Sequence, residues 1–138
     1  IKDRKVLILC KLSNKEIKNY FVDNKTRSIE MPLSLNFDQG VNISSFKKNQ
    51  AYLSLDKLNF PLTIRKWSNG DYFYPTGMDG RKMISKYFKD EKYSKVDKQS
   101  QWLLCSGKNV VWVIGKRCDR RFIAKSDPKN SFLVTLKT

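Results

Sequence analysis

Most of the side chains in this sequence that could do chemistry are cations. It has 28 lysines and arginines against 13 aspartates and glutamates, which gives a formal net charge of +15. Seven basic residues fall within 81–98, namely Arg81, Lys82, Lys86, Lys89, Lys92, Lys95 and Lys98. Four more surround Asp119, namely Lys116, Arg117, Arg120 and Arg121. Because spaced ammonium and guanidinium groups neutralise phosphates and release counterions, the pattern indicates a polyanion, most commonly a nucleic acid. The alternative is a solvated basic face without a partner.

Several classes of reaction chemistry lack their residues. There is no histidine, so a Ser-His-Asp triad, a Cys-His couple and imidazole metal ligands are all excluded. The three cysteines, Cys10, Cys105 and Cys118, form no close pair and lie among apolar neighbours. They indicate small buried side chains and a reducing compartment, the cytoplasm by default. The Gly77–Gly80 segment lacks the phosphate-loop pattern. We therefore expect no catalytic residue, metal site or cofactor in this chain.

The pattern of apolar residues predicts an α+β fold rich in strands, as a mixed or antiparallel sheet or a partly closed barrel. Strands are predicted at 5–10, 20–22, 51–55, 62–67, 102–105, 110–115, 121–124 and 131–136, with a hairpin joining 102–105 to 110–115. The polar stretch 36–50 is expected to be a long loop. No apolar run reaches the length of a membrane span.

Two helices are predicted to carry part of the basic charge. In 81–90 the apolar residues Met83, Ile84, Tyr87 and Phe88 recur at helical spacing. Such a helix buries these four residues and directs a row of lysines, Lys82, Lys86 and Lys89, outward. Asp79 is a candidate for its N-terminal cap or for an anion near its first turn. A shorter helix is predicted over 95–101, opened by Ser94.

Aromatic residues accompany the basic ones. Tyr72 and Tyr74 alternate around Phe73, so both rings are predicted to face the opposite side from Phe73. Exposed rings could stack on unpaired bases, which makes these two tyrosines the candidates for base stacking. The alternative is that they belong to the core.

The basic and aromatic positions form an ordered string. Arg65 and Lys66 are followed by GDYFYPTGMDGRK at 70–82, FKDEK at 88–92, Trp102 and WVIGKRCDRRF at 112–122. This string resembles the C-terminal domain of the tRNA(Ile)-lysidine synthetases. Two positions depart from the family pattern: Met83 stands where the family often has a second lysine, and Cys118 replaces an aliphatic residue.

The resemblance implies a parent enzyme that ligates lysine to the wobble cytidine of an isoleucine tRNA, using ATP with magnesium. The family's catalytic half is an N-terminal ATPase domain with an SGGxDS signature, and that signature does not occur here. The resemblance implies that the C-terminal domain contacts the body and the acceptor stem of the tRNA. We expect 1–138 to be a single compact domain, in which strands and a loop at 1–60 lead from the missing catalytic half to the motif region 61–124.

The predicted role is to position tRNA through its phosphates, without a catalytic site in this chain. The expected phosphate contacts are Arg65, Lys66, Arg81, Lys82, Lys86, Lys89, Arg117 and Arg121. The lysine row follows from helical spacing, whereas Arg65, Arg117 and Arg121 depend on the resemblance. The alternative for these arginines is structural pairing with Asp71 or Asp119. The alternative for the whole chain is an interaction module that packs on the catalytic half or on a second copy of the chain. The sequence makes no prediction of the oligomeric state.

Overall fold

A computed structural model describes residues 19–43, 47–124 and 128–137. In chain order the strands are β1 (Tyr20–Val22), β2 (Ser28–Ile29), β3 (Leu35–Gln39), β4 (Gln50–Ser54), β5 (Leu62–Arg65), β6 (Tyr72–Phe73), β7 (Lys82–Met83), β8 (Leu103–Ser106), β9 (Asn109–Val113), β10 (Arg117–Cys118) and β11 (Ser131–Leu136). The helices are α1 (Ile84–Asp90) and α2 (Lys95–Ser100), and short 3₁₀ turns cover Leu55–Lys57, Arg120–Phe122 and Pro128–Asn130.

The strands form two larger antiparallel sheets and one short hairpin pair. One sheet has the order β10-β9-β8-β5-β1, the other has the order β2-β3-β11-β4, and β6 pairs with β7. Within the described residues neither sheet closes on itself, so the antiparallel alternative is confirmed and the partly closed barrel is not. No described helix is long and apolar enough to cross a membrane.

Alternation along the strands places the core in two layers. Leu104 of β8 packs with Leu53 and Phe132 of the four-stranded sheet, in a cluster that both larger sheets share. The neighbouring residue Leu103 points to the opposite face, where it packs with Phe88 of α1. Because successive side chains of a strand point to opposite faces, the five-stranded sheet is buried on both sides. The order of layers is therefore four-stranded sheet, five-stranded sheet, then α1 with the β6–β7 pair.

Helix α1 begins three residues later than the sequence predicted. Lys82 and Met83 pair with Phe73 and Tyr72 as strand β7, and the helix then begins at Ile84. Met83 consequently remains 39% exposed, so its predicted burial was wrong, whereas Ile84, Tyr87 and Phe88 are buried as predicted. Both predicted roles of Asp79 were also wrong, because Met83 is the N-cap residue and the first turn of the helix contains no acidic residue.

Helix α2 forms where the sequence predicted it. The Ser94 side chain accepts a hydrogen bond from the Asp97 backbone, and the Asp97 carboxylate accepts one from the Ser94 backbone. This reciprocal pair satisfies two amides that the first helical turn leaves without partners. The hydrogen bonds from Ser94 lower the pKa of Asp97.

Two other predicted elements were wrong. Part of the predicted loop 36–50 is strand β3, in which Leu35 and Phe37 are buried and alternate with less buried residues. The predicted strand at 121–124 is instead a 3₁₀ turn over Arg120–Phe122, and Ile123 makes only an isolated bridge to Leu53. The hairpin of β8 and β9 is confirmed. The predicted strand at 5–10 and Cys10 lie outside the described residues, and the division at residues 60 and 61 stays a prediction.

Candidate nucleic-acid interface

Two tyrosines and three arginines meet on one surface, which we call the Arg–Tyr face; its members are Tyr72, Tyr74, Arg81, Arg120 and Arg121. The guanidinium carbon of Arg81 lies 4.6 Å from the ring centre of Tyr72, and that of Arg121 lies 4.1 Å from the ring centre of Tyr74. The two rings meet edge to face at 6.2 Å. Cation–π contact of this kind holds a guanidinium in place while its N–H edge can still reach an anion.

A buried carboxylate organises this face. Asp119 has no exposed surface, and its oxygens accept hydrogen bonds from the backbone amides of Tyr74 and Arg121 at 3.0 and 2.8 Å. It also accepts from the Arg121 side chain, whose Nη2 lies 2.9 Å away. The hydrogen bond with Asp119 raises the pKa of Arg121. One side of Arg121 is therefore paired structurally, as the sequence alternative allowed, while its side chain remains 37% exposed.

Arg120 connects the face to the loop before β7. Its backbone amide donates to the Tyr74 carbonyl at 2.7 Å, and its Nη1 donates to the Gly80 carbonyl at 3.1 Å. Gly80 has a φ of +76°, a conformation that glycine adopts more easily than other residues. The turn thus delivers Arg81, the next residue, to the ring of Tyr72.

Arg65 is held by a carboxylate and lies outside this face. Its Nη1 and Nη2 donate to the two oxygens of Asp71 at 2.8 and 3.0 Å, a bidentate pair. Burial alone would raise the pKa of Asp71, but hydrogen bonds from Arg65 and Ser68 outweigh burial and lower it. The Arg65 side chain is only 18% exposed. Its geometry therefore favours structural pairing over a phosphate contact.

Lys66 is also engaged within the protein. Its Nζ lies 4.1 Å from the ring centre of Trp102 and donates to the Gln99 carbonyl. Partial burial lowers the pKa of Lys66. This lysine joins the end of β5 to the last turn of α2 and to Trp102 after it, and a phosphate would have to compete with both contacts.

The lysines predicted to form one row divide into two groups. Lys82 belongs to β7, and both Lys82 and Lys86 reach the Asp90 carboxylate, at 2.6 and 3.3 Å. The hydrogen bond from Lys82, followed by that from Lys86, lowers the pKa of Asp90. Lys89 is exposed and makes no ion pair with any residue that the structure describes. Part of the predicted positive row is therefore neutralised locally.

Arg117 lies in a second basic region, which we call the basic groove. This open groove of about 610 Å³ has four cations on its lining, Lys47, Lys48, Lys116 and Arg117. Its apolar part is formed by Tyr52, Cys118 and Ile123, and Thr76 and Gly77 border it. Arg117 donates to the Thr76 carbonyl at 3.4 Å.

The basic groove and the Arg–Tyr face meet along one short segment, 74–76. The Thr76 backbone amide donates a hydrogen bond to the Cys118 carbonyl in the groove. The Tyr74 carbonyl accepts a hydrogen bond from the Arg120 backbone amide in the Arg–Tyr face. Four of the predicted contact residues come together in the Arg–Tyr face, namely Tyr72, Tyr74, Arg81 and Arg121. Arg117 lies in the neighbouring groove, on the strand that bonds to segment 74–76. Sequence reasoning placed Lys116 and Arg120 in the basic cluster around Asp119 but did not count them among the phosphate contacts. It did not select Lys47 or Lys48, for which their adjacency in the sequence was the available signal.

The two cysteines that the structure describes lie in surroundings that keep their thiols protonated. Burial raises the pKa values of Cys105 and Cys118 to about 12, so both remain thiols at neutral pH. Both are free cysteines; Cys105 is buried as predicted, whereas Cys118 is only partly buried. Within 19–43, 47–124 and 128–137, no group of three or more acidic or cysteine residues could hold a metal ion.

Comparisons with known proteins agree on one family. The family profile described as the TilS substrate C-terminal domain matches residues 62–134. A tRNA(Ile)-lysidine synthase of Parabacteroides distasonis is 43% identical over 97% of this chain and 32% of its own length. A tRNA(Ile)-lysidine synthase of Bacteroides thetaiotaomicron is 47% identical over 55% of this chain and 18% of its own length.

A solved structure supports the fold. A crystal structure of a TILS C-terminal domain superposes with a TM-score of 0.69, covers 86% of this chain and 95% of that chain, and is 14% identical. The present chain spans about a third of the length of the Parabacteroides relative. The matched residues contain β5 to β10, both helices and the whole Arg–Tyr face. The chain belongs to the TilS substrate C-terminal domain family.

Proposed function

We propose that this chain is the tRNA-binding domain of a tRNA(Ile)-lysidine synthase, and that it positions an isoleucine tRNA through contacts with its phosphates. The observation that carries the proposal is the Arg–Tyr face, where Arg81 and Arg121 are held against Tyr72 and Tyr74. Guanidinium groups that are already ordered lose less conformational freedom when they bind a phosphate. Phosphate contacts of this kind set the position of an RNA without reading its sequence.

The exposure and the existing ion pairs of each proposed residue indicate how much it can contribute to phosphate binding. Arg81, Lys89 and Arg120 have exposed side chains, so they are the first candidates for phosphate contacts. Arg121 can bind a phosphate only with the donors that Asp119 leaves, and Lys86 shares its charge with Asp90. Arg65, Lys66 and Lys82 serve mainly to hold the scaffold. A base could stack on Tyr72 or Tyr74 only by sharing the ring with a guanidinium, so phosphate binding is the more favourable use of this face.

For the longer protein we propose ligation of lysine to the wobble cytidine of isoleucine tRNA, with ATP and magnesium bound outside this chain. The described residues offer no cluster of acidic side chains for magnesium, so no step of that reaction is assigned to them. The free thiols of Cys105 and Cys118 fit the reducing cytoplasm, which is the compartment we propose. ATP turnover by this chain alone would contradict the division of roles.

The test is binding of an isoleucine tRNA transcript, measured by fluorescence anisotropy, to the unchanged chain and to two charge-reversal variants. Arg81→Glu removes a cation from the Arg–Tyr face, and we expect it to raise Kd about tenfold. The control is Arg27→Glu, which makes the same charge change at an exposed arginine beside β2 in the other sheet. We expect the control to stay within about twofold of the unchanged chain.

Two results would contradict the proposal. Equal weakening by both variants would show that only net charge matters and that the Arg–Tyr face has no special role. Failure of the unchanged chain to bind tRNA would favour the interaction-module alternative. Sedimentation of the chain at several concentrations, with and without the catalytic half of a relative, would then identify what it packs against.

A further inference from the structure

We propose that the basic groove holds unpaired nucleotides that continue from the end of an RNA duplex. This inference rests on the proposed function and extends it, because it assigns a second binding region with a different ligand structure. The Arg–Tyr face offers cations over tyrosine rings, whereas the groove combines four cations with an apolar surface. The two regions therefore suit different parts of an RNA.

The charge of the groove selects a polyanion. Its cations come from two segments that are far apart in sequence, Lys47 and Lys48 before β4, and Lys116 and Arg117 at the start of β10. None of the described residues that line it is acidic. Arg117 has five N–H donors and uses one of them on the Thr76 carbonyl. A strand of phosphates could therefore contact both segments at once.

The apolar surface selects an unpaired base. Tyr52 is 5% exposed and its hydroxyl donates to the Val41 carbonyl at 2.6 Å, so it supports the floor of the groove from below and leaves the accessible apolar surface to its neighbours. Cys118 and Ile123 are partly buried beside it. Inside an RNA duplex the flat faces of the bases are covered by their neighbours in the stack, so an unpaired base, unlike an internal base pair, can place a face on such a surface. A duplex alone would use the cations and leave the apolar part in water.

The position of the groove connects it to the duplex site. Segment 74–76 borders the Arg–Tyr face at Tyr74 and the groove at Thr76. An RNA whose duplex lies on the Arg–Tyr face can therefore continue into the groove where base pairing ends. Every tRNA offers such a continuation at its unpaired 3′ end, next to the acceptor stem.

The test uses two RNA hairpins with the same stem, one flush and one with a short unpaired 3′ extension. We expect the extension to lower Kd for the unchanged chain about tenfold, which corresponds to about 1.4 kcal/mol from one base packed on the apolar surface and one added phosphate contact. Lys47→Glu and Lys116→Glu, one from each segment, should each remove that gain. Lys108→Glu, which makes the same charge change at an exposed lysine of the β8–β9 turn outside the groove, should keep it.

The outcomes separate this inference from the proposed function. If tRNA and both hairpins bind but the extension adds nothing, the groove inference is overturned and tRNA binding stands. If neither tRNA nor either hairpin binds, both fall. Equal weakening of both hairpins by Lys47→Glu would show that the groove contacts duplex phosphates and would overturn the assignment. Tight binding of an oligoglutamate peptide, lost in Lys47→Glu and without any gain from the extension, would assign the groove to an acidic protein segment instead.

Discussion

At the scale of single residues, two carboxylates decide what the neighbouring arginines can do. Asp71 accepts both ends of the Arg65 guanidinium and also the Ser68 backbone amide. Asp119 accepts from Arg121 and from the backbone amide of Tyr74, which lies 45 residues away in sequence. A buried charge is tolerated only when it is paired and hydrogen-bonded, and both carboxylates meet that condition. The arginines are thereby oriented, and part of their charge is used inside the protein.

A prediction at this scale concerns the acid sensitivity of the Arg65–Asp71 pair. The pKa of Asp71 is lower in the folded chain than its usual value, so the pair stabilises the fold above about pH 4 and loses that contribution as the pH falls further. We expect Asp71→Asn to cost about 2 kcal/mol of unfolding free energy at pH 7. Below about pH 4 the difference from the unchanged chain should shrink.

The measurement is the urea unfolding midpoint and slope of both chains between neutral and acidic pH. Asp56→Asn is the control, because this exposed side chain makes no ion pair with a residue that the structure describes. Its difference from the unchanged chain should remain small throughout. A difference for Asp71→Asn that stays constant down to the acid limit would contradict the assigned role of its charge.

At the scale of elements, the short pair β6–β7 has more influence on the candidate site than α1 has. Pairing of Tyr72 with Met83 and of Phe73 with Lys82 delays the helix to Ile84 and removes Lys82 from its surface. The same pairing directs Phe73 into the core beside Tyr87, at a ring distance of 5.4 Å. Tyr72 and Tyr74 then face the arginines. A purely helical 81–90 would have presented three lysines in a row and no Arg–Tyr face.

The second prediction separates two lysines of that predicted row. Lys82→Glu should lower the melting temperature, because it replaces an ion pair to Asp90 with a like charge on a side chain that is only 17% exposed. Lys89→Glu should leave the melting temperature nearly unchanged and weaken tRNA binding, because Lys89 is exposed. Thermal unfolding and tRNA anisotropy on the same two variants check both expectations. Equal stability of the two variants would show that the Lys82–Asp90 contact contributes nothing measurable.

At the scale of the whole molecule, the positive charge outweighs the local pairing. The formal net charge of +15 remains after each acidic residue is set against one basic residue, so local ion pairs such as Arg65–Asp71 and Lys82–Asp90 cannot remove it. This excess is what an external polyanion would neutralise. The two larger sheets supply the rigid support, since they share one core.

The third prediction is the salt dependence of tRNA binding. Each phosphate that the chain neutralises releases a counterion, so the logarithm of the binding constant should fall linearly with the logarithm of salt concentration. Arg81→Glu should make this slope shallower by about one. Arg27→Glu should leave the slope unchanged. Binding that does not depend on salt would contradict phosphate contact as the main source of affinity.

Much of the fold was predictable because the buried residues of a strand or a helix recur at a regular spacing in the sequence. The strand at 131–136, the hairpin after Trp102 and the capped helix after Ser94 were predicted and are present. Strand β3 was missed because Asn36 and Asp38 made its surroundings read as a loop, although Leu35 and Phe37 keep the period of two. The segment at 121–124 was misread because its hydrophobic Phe122 is buried by a single turn rather than by a strand.

The sequence alone determined the excess positive charge, the absence of histidine chemistry, the family string from Arg65 to Phe122 and the alternation of Tyr72 and Tyr74. Only the tertiary structure decided which cations are free. Whether Arg65 faces Asp71, or Lys82 faces Asp90, depends on distances between side chains that come together when the strands pair. The same holds for the basic groove, where Lys47 and Arg117 meet although 70 positions separate them in the sequence. Charge is a property of composition, whereas its availability to a partner is a property of geometry, because an ion pair forms only at contact distance.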